Sequence, residues 1–290
     1  MPELPEVETL KRELAKALKG KTIASAQVLW PKTVAPLSVT QFEKKIKGQK
    51  ISDIERQAKI LIINFSGPDA LAFHLKMTGQ LIFQPKTGKK IVGGHPASAK
   101  GYGEAKPDKY TRLVINFTDS SILYFNDLRK FGWARLVNDS QLTDLTKHIG
   151  VEPLSKFFTE QFLLDLFQRF PNRTIKQILM DQTLIAGIGN IYADESAFLA
   201  KILPTRKAGT VKTEQVKKLR QTIIDVLKLS ISKKGTSSRN YRRSDGSMGG
   251  FVPHLYVYGR AGEPCKICET ILKKIKHNGR GTVFCQKCQK

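Results

Sequence analysis

An α+β fold in two lobes follows from three features of this 290-residue sequence. Short β-branched and aromatic runs, separated by turn residues, fill the span from Thr22 to about Val137. Apolar residues at helical spacing take over between Glu160 and Ser230. All four cysteines fall in the last 26 residues, as Cys265-x2-Cys268-x16-Cys285-x2-Cys288. The length is sufficient for two separate cores.

The first element is a helix. Val7, Leu10, Leu14, Ala17 and Leu18 share one face, Pro5, Glu6 and Glu8 suit its positive end, and Gly20 stops it. Strands follow at Ile60–Phe65, Ala70–Leu75, Gln80–Phe83, Leu113–Phe117 and Ser121–Phe125, a pattern that fits a sandwich or a barrel. Residues 86–109 are rich in Gly, Lys and Pro without periodicity and read as a mobile insertion, with His95 facing solvent. The first domain is assigned to 1–137 and a linker to 138–158.

Helices are predicted at Glu160–Arg169, Thr174–Asp181, Ile191–Leu199 and Thr213–Ser230, within a domain at 159–235. Between the second and third, Gly187-Ile188-Gly189-Asn190 makes a tight turn, with Asn190 placed to cap the next helix. Such a turn offers backbone N–H groups at a helix N-terminus, where a phosphate binds well; a plain connector is the alternative. Residues 236–252 lose apolar character and read as a flexible basic loop. A cleft is expected between the two lobes.

The last module spans 253–290. Two CxxC turns at that separation direct four thiolates inward and close a tetrahedral zinc site with no open position, so the metal is structural. Two disulfides are the alternative, disfavoured for a basic chain without an export signal. Between the cysteine pairs, Ile271–Ile275 and Thr282–Phe284 form a hairpin turning at Asn278-Gly279, and His277 reads as exposed.

Lys and Arg total 49 against 25 Asp and Glu, a net charge of +24. Of this, +16 lies in residues 201–290, which hold 21 basic and 5 acidic residues. Such a field favours a polyanion, nucleic acid first. No stretch approaches the ~18 apolar residues of a spanning helix and the start lacks a secretory signal, which points to a cytoplasmic or nucleoid-associated protein without membrane contact.

The chemistry centres on Met1-Pro2-Glu3-Leu4-Pro5-Glu6. With Met1 removed, Pro2 carries a secondary amine, a nucleophile able to form an iminium, and Glu3 beside it is a proton donor. A helix start accounts for Pro5 to Thr9 but not for Pro2 and Glu3.

This opening resembles the amino terminus of the bacterial formamidopyrimidine-DNA glycosylase family, and further motifs in order along the chain resemble it too. They are Arg56-Gln-Ala-Lys59, His74-Leu-Lys-Met77-Thr-Gly79, Asp127-Leu-Arg129-Lys-Phe131-Gly132, Leu179 to Tyr192, and Gly279-Arg280-Gly281-Thr282. The resemblance implies a β-sandwich first lobe and a helix–two-turn–helix second lobe carrying the zinc hairpin. It implies a monomer that acts on duplex DNA containing oxidised bases or abasic sites, removing 8-oxoguanine and formamidopyrimidines and then cutting the strand. Pro2 is then the nucleophile at the sugar C1′, Glu3 protonates the ring oxygen, and Lys59 and Arg280 serve the lesion phosphates. Met77, Arg129 and Phe131 fill the gap left by an extruded nucleotide, as their apolar and hydrogen-bonding types allow. Without the resemblance, Met77 and Phe131 read as core. Arg173, Lys176, Gly189 and Asn190 are implied contacts to the DNA backbone. Glycines on both sides of Arg280 support its close approach to DNA independently.

For attack the amine must be unprotonated; a free α-amino group titrates near ~7.7–8.0, and nearby cations lower that value. The chain departs from the family in two places: residues 86–109 are longer, and Tyr110 stands in the slot of a DNA-contacting histidine. Two rivals stand beside this reading. The sister enzyme for oxidised pyrimidines, endonuclease VIII, usually has Gly where Leu4 stands. A non-catalytic zinc-ribbon DNA binder leaves Pro2, Glu3 and Lys59 unexplained.

Overall fold

The computed structural model describes residues 1–95, 107–236 and 250–290. The chain divides into two compact units, Met1–Lys147 with the described part of Lys233–Val252, and His148–Ser232 with Pro253–Lys290. Most of the expected basic loop at 236–252 and residues 96–106 of the expected insertion lie outside the described residues.

In the first unit, helix α1 (Leu4–Leu18) buries Leu4, Val7, Leu10, Leu14 and Leu18 along one stripe. Gly20 follows it at φ +83°, a conformation that suits a residue without Cβ. Among the described residues nine strands then form two antiparallel sheets. They are β1 (Ile23–Val28), β2 (Ile51–Gln57), β3 (Ile60–Phe65), β4 (Asp69–His74), β5 (Gly79–Gln84), β6 (Ile91–Gly94), β7 (Thr111–Phe117), β8 (Ile122–Asp127) and β9 (Trp133–Asn138). One sheet runs β1-β7-β8-β5-β6 and the other β2-β3-β4-β9. Their inner faces share one core, with Leu61, Ile63, Leu71 and Phe73 of one sheet and Leu81, Phe83, Leu113, Ile115 and Phe125 of the other. Phe73 and Phe125 meet edge to face at 5.6 Å between ring centroids, a favoured aromatic geometry. The first unit is therefore a β-sandwich. Helices α2 (Val39–Ile46) and α3 (Asp139–Thr146) complete it, each starting at a capping box, on Ser38 and Asn138.

The five expected strands are β3, β4, β5, β7 and β8. The reading of residues 86–109 as aperiodic is corrected at Ile91–Gly94, which form β6 and pair with β5. Ile91 to Gly94 contain only two β-branched residues before two glycines, too short a run to stand out.

The second unit holds α4 (Glu160–Arg169), α5 (Ile175–Met180), α6 (Asn190–Leu199) and α7 (Thr213–Ser232), followed by the hairpin of β10 (Lys273–His277) and β11 (Arg280–Phe284). The hairpin turns at Asn278 and Gly279, with φ of +46° and +72°, and pairs His277 with Arg280. Positive φ at both central residues matches the twist of the strands, and Asn-Gly tolerates it. Helix α6 is buried almost throughout. Its Glu195 carboxylate accepts the backbone N–H groups of Tyr256, Val257 and Tyr258 at 2.8, 2.9 and 2.7 Å, fixing the chain that leads into the zinc module. Among the described residues no helix is long and apolar enough to cross a membrane.

Candidate active site

The amino terminus is built into the fold. Pro2 and Glu3 are buried, and Glu3 is the N-cap of α1. The Glu6 carboxylate, one helical turn on, accepts the Glu3 backbone N–H at 3.0 Å. Its other oxygen accepts both the N–H and the hydroxyl of Thr236 at 2.8 Å each. Glu6 thus holds the residue next to the amine by its main chain, leaving the Glu3 position defined to within hydrogen-bond tolerance. Sequence reading credits Glu6 only with the helix dipole; the i, i+3 spacing of Glu3 and Glu6 is the capping-box signal that locates its second role.

Lys59, buried at 5 % exposure, sits in the two-residue turn between β2 and β3. Ala58 before it has φ +52°, a left-handed conformation that L side chains disfavour. The turn is held by Arg56, whose guanidinium donates to the Ala58 carbonyl at 2.8 Å and to the Glu8 carboxylate on α1 at 2.9 Å. Burial opposes charge on Glu8, but Arg12 and Arg56 outweigh it and hold the carboxyl below its usual range. On β4, His74 is pushed down to about 3 by burial, then by the charges of Lys76 and Lys59. It is a neutral imidazole whose Nδ1 accepts the Lys76 N–H at 2.9 Å.

Met77, Arg129 and Phe131 stand on two loops and are exposed, Phe131 at 56 %. Reading Met77 and Phe131 as core is therefore wrong, since both side chains leave the sandwich at loop tips. The Arg129 guanidinium lies over the Phe131 ring, 4.7 Å from its centroid. Buried Asp127 joins the two loops: it accepts the Thr78 hydroxyl, the Arg129 N–H at 3.2 Å and the Gly132 N–H at 2.6 Å. A Cβ on Gly132 would fall 2.7 Å from the Phe125 ring, so glycine is required for this approach. Tyr110 is half-buried, and its carbonyl accepts the Asp127 N–H at 2.9 Å.

In the second unit, Arg173, Gln177, His277 and Arg280 line a cleft of about 290 Å³ beside α5. Arg173 donates to Asp181 at 2.9 Å, and Arg280 is exposed at the hairpin tip. The expectation that Lys176 contacts a phosphate is corrected. Its side chain is 2 % exposed, and its ammonium donates to Asp194 at 2.6 Å, the Thr282 hydroxyl at 2.8 Å and the Gly281 carbonyl at 3.1 Å. Three N–H donors are thereby used on three oxygens, and none is left for a ligand. Lys176 instead positions the strand that carries Arg280. Asp194 closes the same network by accepting the Val283 N–H at 3.1 Å.

Two smaller corrections concern neighbours of this network. Gly189 is the N-cap of α6, and Asn190 is its first residue, so Asn190 does not cap the helix. Its amide donates to the Gly281 carbonyl at 3.0 Å, while its carbonyl oxygen is buried without a hydrogen bond. His277 is half-buried and shares a 2.8 Å hydrogen bond with the Thr174 hydroxyl, because the hairpin lies on the start of α5.

The four cysteine sulfurs lie within 4.8 Å of one another, with Cys265 and Cys288 at 3.9 Å and Cys268 and Cys285 at 3.4 Å. A tetrahedral zinc at ~2.3 Å from each sulfur requires S···S of about 3.8 Å. The separations fit a single ion held by all four thiolates and far exceed a disulfide bond of ~2.05 Å. The site holds one structural zinc, closed to substrate.

A buried Pro-Glu terminus on a sandwich, and a basic cleft presented by a zinc hairpin against a helix–turn–helix, define a class of protein that works on DNA. Three family descriptions match the chain in succession. They are the formamidopyrimidine-DNA glycosylase N-terminal domain at residues 1–134, the formamidopyrimidine-DNA glycosylase H2TH domain at 149–242, and a zinc finger found in FPG and IleRS at 262–290. The formamidopyrimidine-DNA glycosylase of Lactiplantibacillus plantarum is 39 % identical over 287 residues, covering 98 % of each chain. That of an Exiguobacterium species is 38 % identical, covering 100 % of this chain and 99 % of its own. Among solved structures, Lactococcus lactis Fpg with abasic-site DNA is 35 % identical, with a TM-score of 0.87 over 99 % of each chain. The same enzyme with oxidised-pyrimidine DNA has a TM-score of 0.85 over 100 % of each. The chain belongs to the formamidopyrimidine-DNA glycosylase family.

Proposed function

We infer that this protein is a bifunctional DNA glycosylase and abasic-site lyase of base excision repair, acting on oxidised purines in duplex DNA. The observation that carries the reading is the buried Pro2-Glu3 pair, with Glu3 clamped by Glu6 at the start of α1. With Met1 removed, the Pro2 nitrogen attacks C1′ of an extruded nucleotide while Glu3 protonates the ring oxygen, and the base leaves. The resulting iminium acidifies C2′, so the 3′ and then the 5′ phosphate depart by β- and δ-elimination. Lys59 and Arg280 attend those phosphates, Met77, Arg129 and Phe131 fill the vacated stack, and Arg173, Gly189 and Asn190 hold the DNA backbone. In this reading residues 1–147 supply the chemistry, the linker expected at 138–158 being shortened because α3 belongs to the first unit, while 159–235 and 253–290 bind the duplex and 236–252 attend the lesion. The protein works as a monomer on the DNA of the cytoplasm.

Glu3→Gln separates the two activities. Base removal from 8-oxoguanine duplexes should fall at least ~10²-fold, as expected for loss of a general acid. Cutting at a pre-formed abasic site, where no base must leave, should suffer less. Blocking the Pro2 amine should abolish both activities and the borohydride-trapped complex. Equal damage to both reactions by Glu3→Gln, or trapping by the blocked protein, would sink these roles. An oxidised-pyrimidine duplex belongs in the same assay, because a solved relative holds such DNA. Leu4 favours the purine substrates, and faster cleavage of the pyrimidine duplex would reverse that assignment.

A further inference from the structure

We propose that His95 is the proton acceptor for the amino-terminal nitrogen during covalent attack. The sequence by itself places this histidine in solvent; the structure corrects that reading by bringing it to the terminus. Strand β6 lies beside α1, and the contact depends on glycine: a Cβ on Gly93 would fall 2.5 Å from the Leu10 side chain. Gly94 follows at φ +113°, where a Cβ would fall 2.2 Å from the Gly79 carbonyl. The same carbonyl accepts the His95 N–H at 3.1 Å. These constraints turn the chain off the sheet and set the imidazole Nε2 3.3 Å from the Met1 amine.

That contact fixes the direction of the hydrogen bond. A terminal ammonium has only donors, so His95 Nε2 accepts. Two bonded atoms separate the Met1 and Pro2 nitrogens, a span of at most about 3.7 Å by standard backbone dimensions. His95 Nε2 therefore lies within about 7 Å of the Pro2 nitrogen, a gap that direct contact or a short water chain spans once Met1 is gone.

The reaction requires such a group, and the inference rests on the covalent mechanism proposed above. When the Pro2 lone pair forms the N–C1′ bond, the C1′–O4′ bond breaks and O4′ takes the proton of Glu3. The nitrogen is then a protonated tertiary amine and cannot form an iminium until it loses that proton. Transfer of the proton to His95 returns a lone pair to nitrogen, which closes N=C1′ as the C1′–base bond breaks and the base departs with its electrons. Glu3 is committed to donation at this stage, whereas an imidazole, with an ordinary pKa of ~6.5, accepts a proton readily at neutral pH.

The test uses Met1-processed protein with His95→Ala and His95→Gln, in single turnover at saturating enzyme. Both variants should slow borohydride trapping at an abasic site and excision of 8-oxoguanine by about 10²-fold, the usual contribution of a general base. Added imidazole should restore part of the His95→Ala rate. Affinity for a duplex carrying a tetrahydrofuran abasic analogue should stay within about twofold of wild type. Wild-type rates in His95→Gln would overturn the proposal, since glutamine keeps size and polarity but cannot take the proton. A defect that vanishes at saturation, or one untouched by imidazole, would overturn it in favour of a DNA contact or a structural part. A wild-type protein that neither cuts nor traps would instead remove the covalent mechanism itself, and this inference with it.

Discussion

Replacing Lys176 by methionine, which keeps the stem and removes the ammonium, tests whether this residue is internal support or a phosphate contact. The variant loses a charge-assisted hydrogen bond to Asp194 and bonds to Thr282 and Gly281, all in a pair 2 % and 0 % exposed. Breaking a buried pair from one side costs about 3–5 kcal/mol. Burial already pushes the Asp194 carboxyl up to about 6, against the pull of Lys176. Without Lys176 it takes up a proton near neutrality, which holds the loss at about 3 kcal/mol, the lower end of that range. Both tryptophans, Trp30 and Trp133, belong to the first unit, so the assay is amide exchange of the zinc-loaded hairpin, at Val283 above all. Asp194→Asn should destabilise the same amides, and the double variant should lose less than the sum of the two. If Lys176→Met leaves exchange within about 0.5 kcal/mol of wild type while the salt slope of DNA binding drops by about 0.9, Lys176 neutralises a phosphate and the reasoning fails.

Other outcomes follow from the same structure. His74 has a folded-state value of about 3 against an ordinary value of ~6.5, so the unfolded chain binds its proton first. Its contribution is complete above ~6.5 and is lost as pH falls toward 3, by at most about 4–5 kcal/mol at ~1.36 kcal/mol per unit. His74→Gln should flatten that part of the acid-unfolding curve, and an unchanged curve would place the proton elsewhere. Asp127→Asn turns one of the two acceptor oxygens into an N–H₂ donor that faces either the Gly132 amide or the Thr78 and Arg129 pair, and should cost about 2–3 kcal/mol in denaturant unfolding of the sandwich; a loss under about 0.5 would refute its joining role. Cys265→Ser should lower zinc content and DNA affinity together while the Trp30 and Trp133 fluorescence of the sandwich stays native. Active reduced protein free of zinc would contradict this. Arg280→Ala should reduce the salt slope of binding by about one phosphate, and a slope equal to wild type would remove Arg280 from the backbone contacts.

Pattern alone located the five strands at the sheet centres. Strands β3, β4, β5, β7 and β8 have partners on both edges, and their buried faces demand long β-branched and aromatic runs that stand out in any window. The four that escaped, β1, β2, β6 and β9, are the four sheet edges. An edge strand hydrogen-bonds on one side only and tolerates charge, so Ile51-Ser-Asp-Ile-Glu-Arg-Gln57 alternates too weakly to announce itself. The zinc site, the Asn-Gly hairpin and the Pro2-Glu3 terminus were equally legible, because each depends on residue type at short, fixed spacing. The support of the site was not. Lys176 and Asp194 are 18 residues apart and Lys176 and Thr282 are 106 apart, and His95 meets the terminus across 94 residues. Local sequence can say that a lysine or histidine is present; only packing decides whether its nitrogen faces solvent, a carboxylate or an amine, since burial and partners come from chain segments that no window contains.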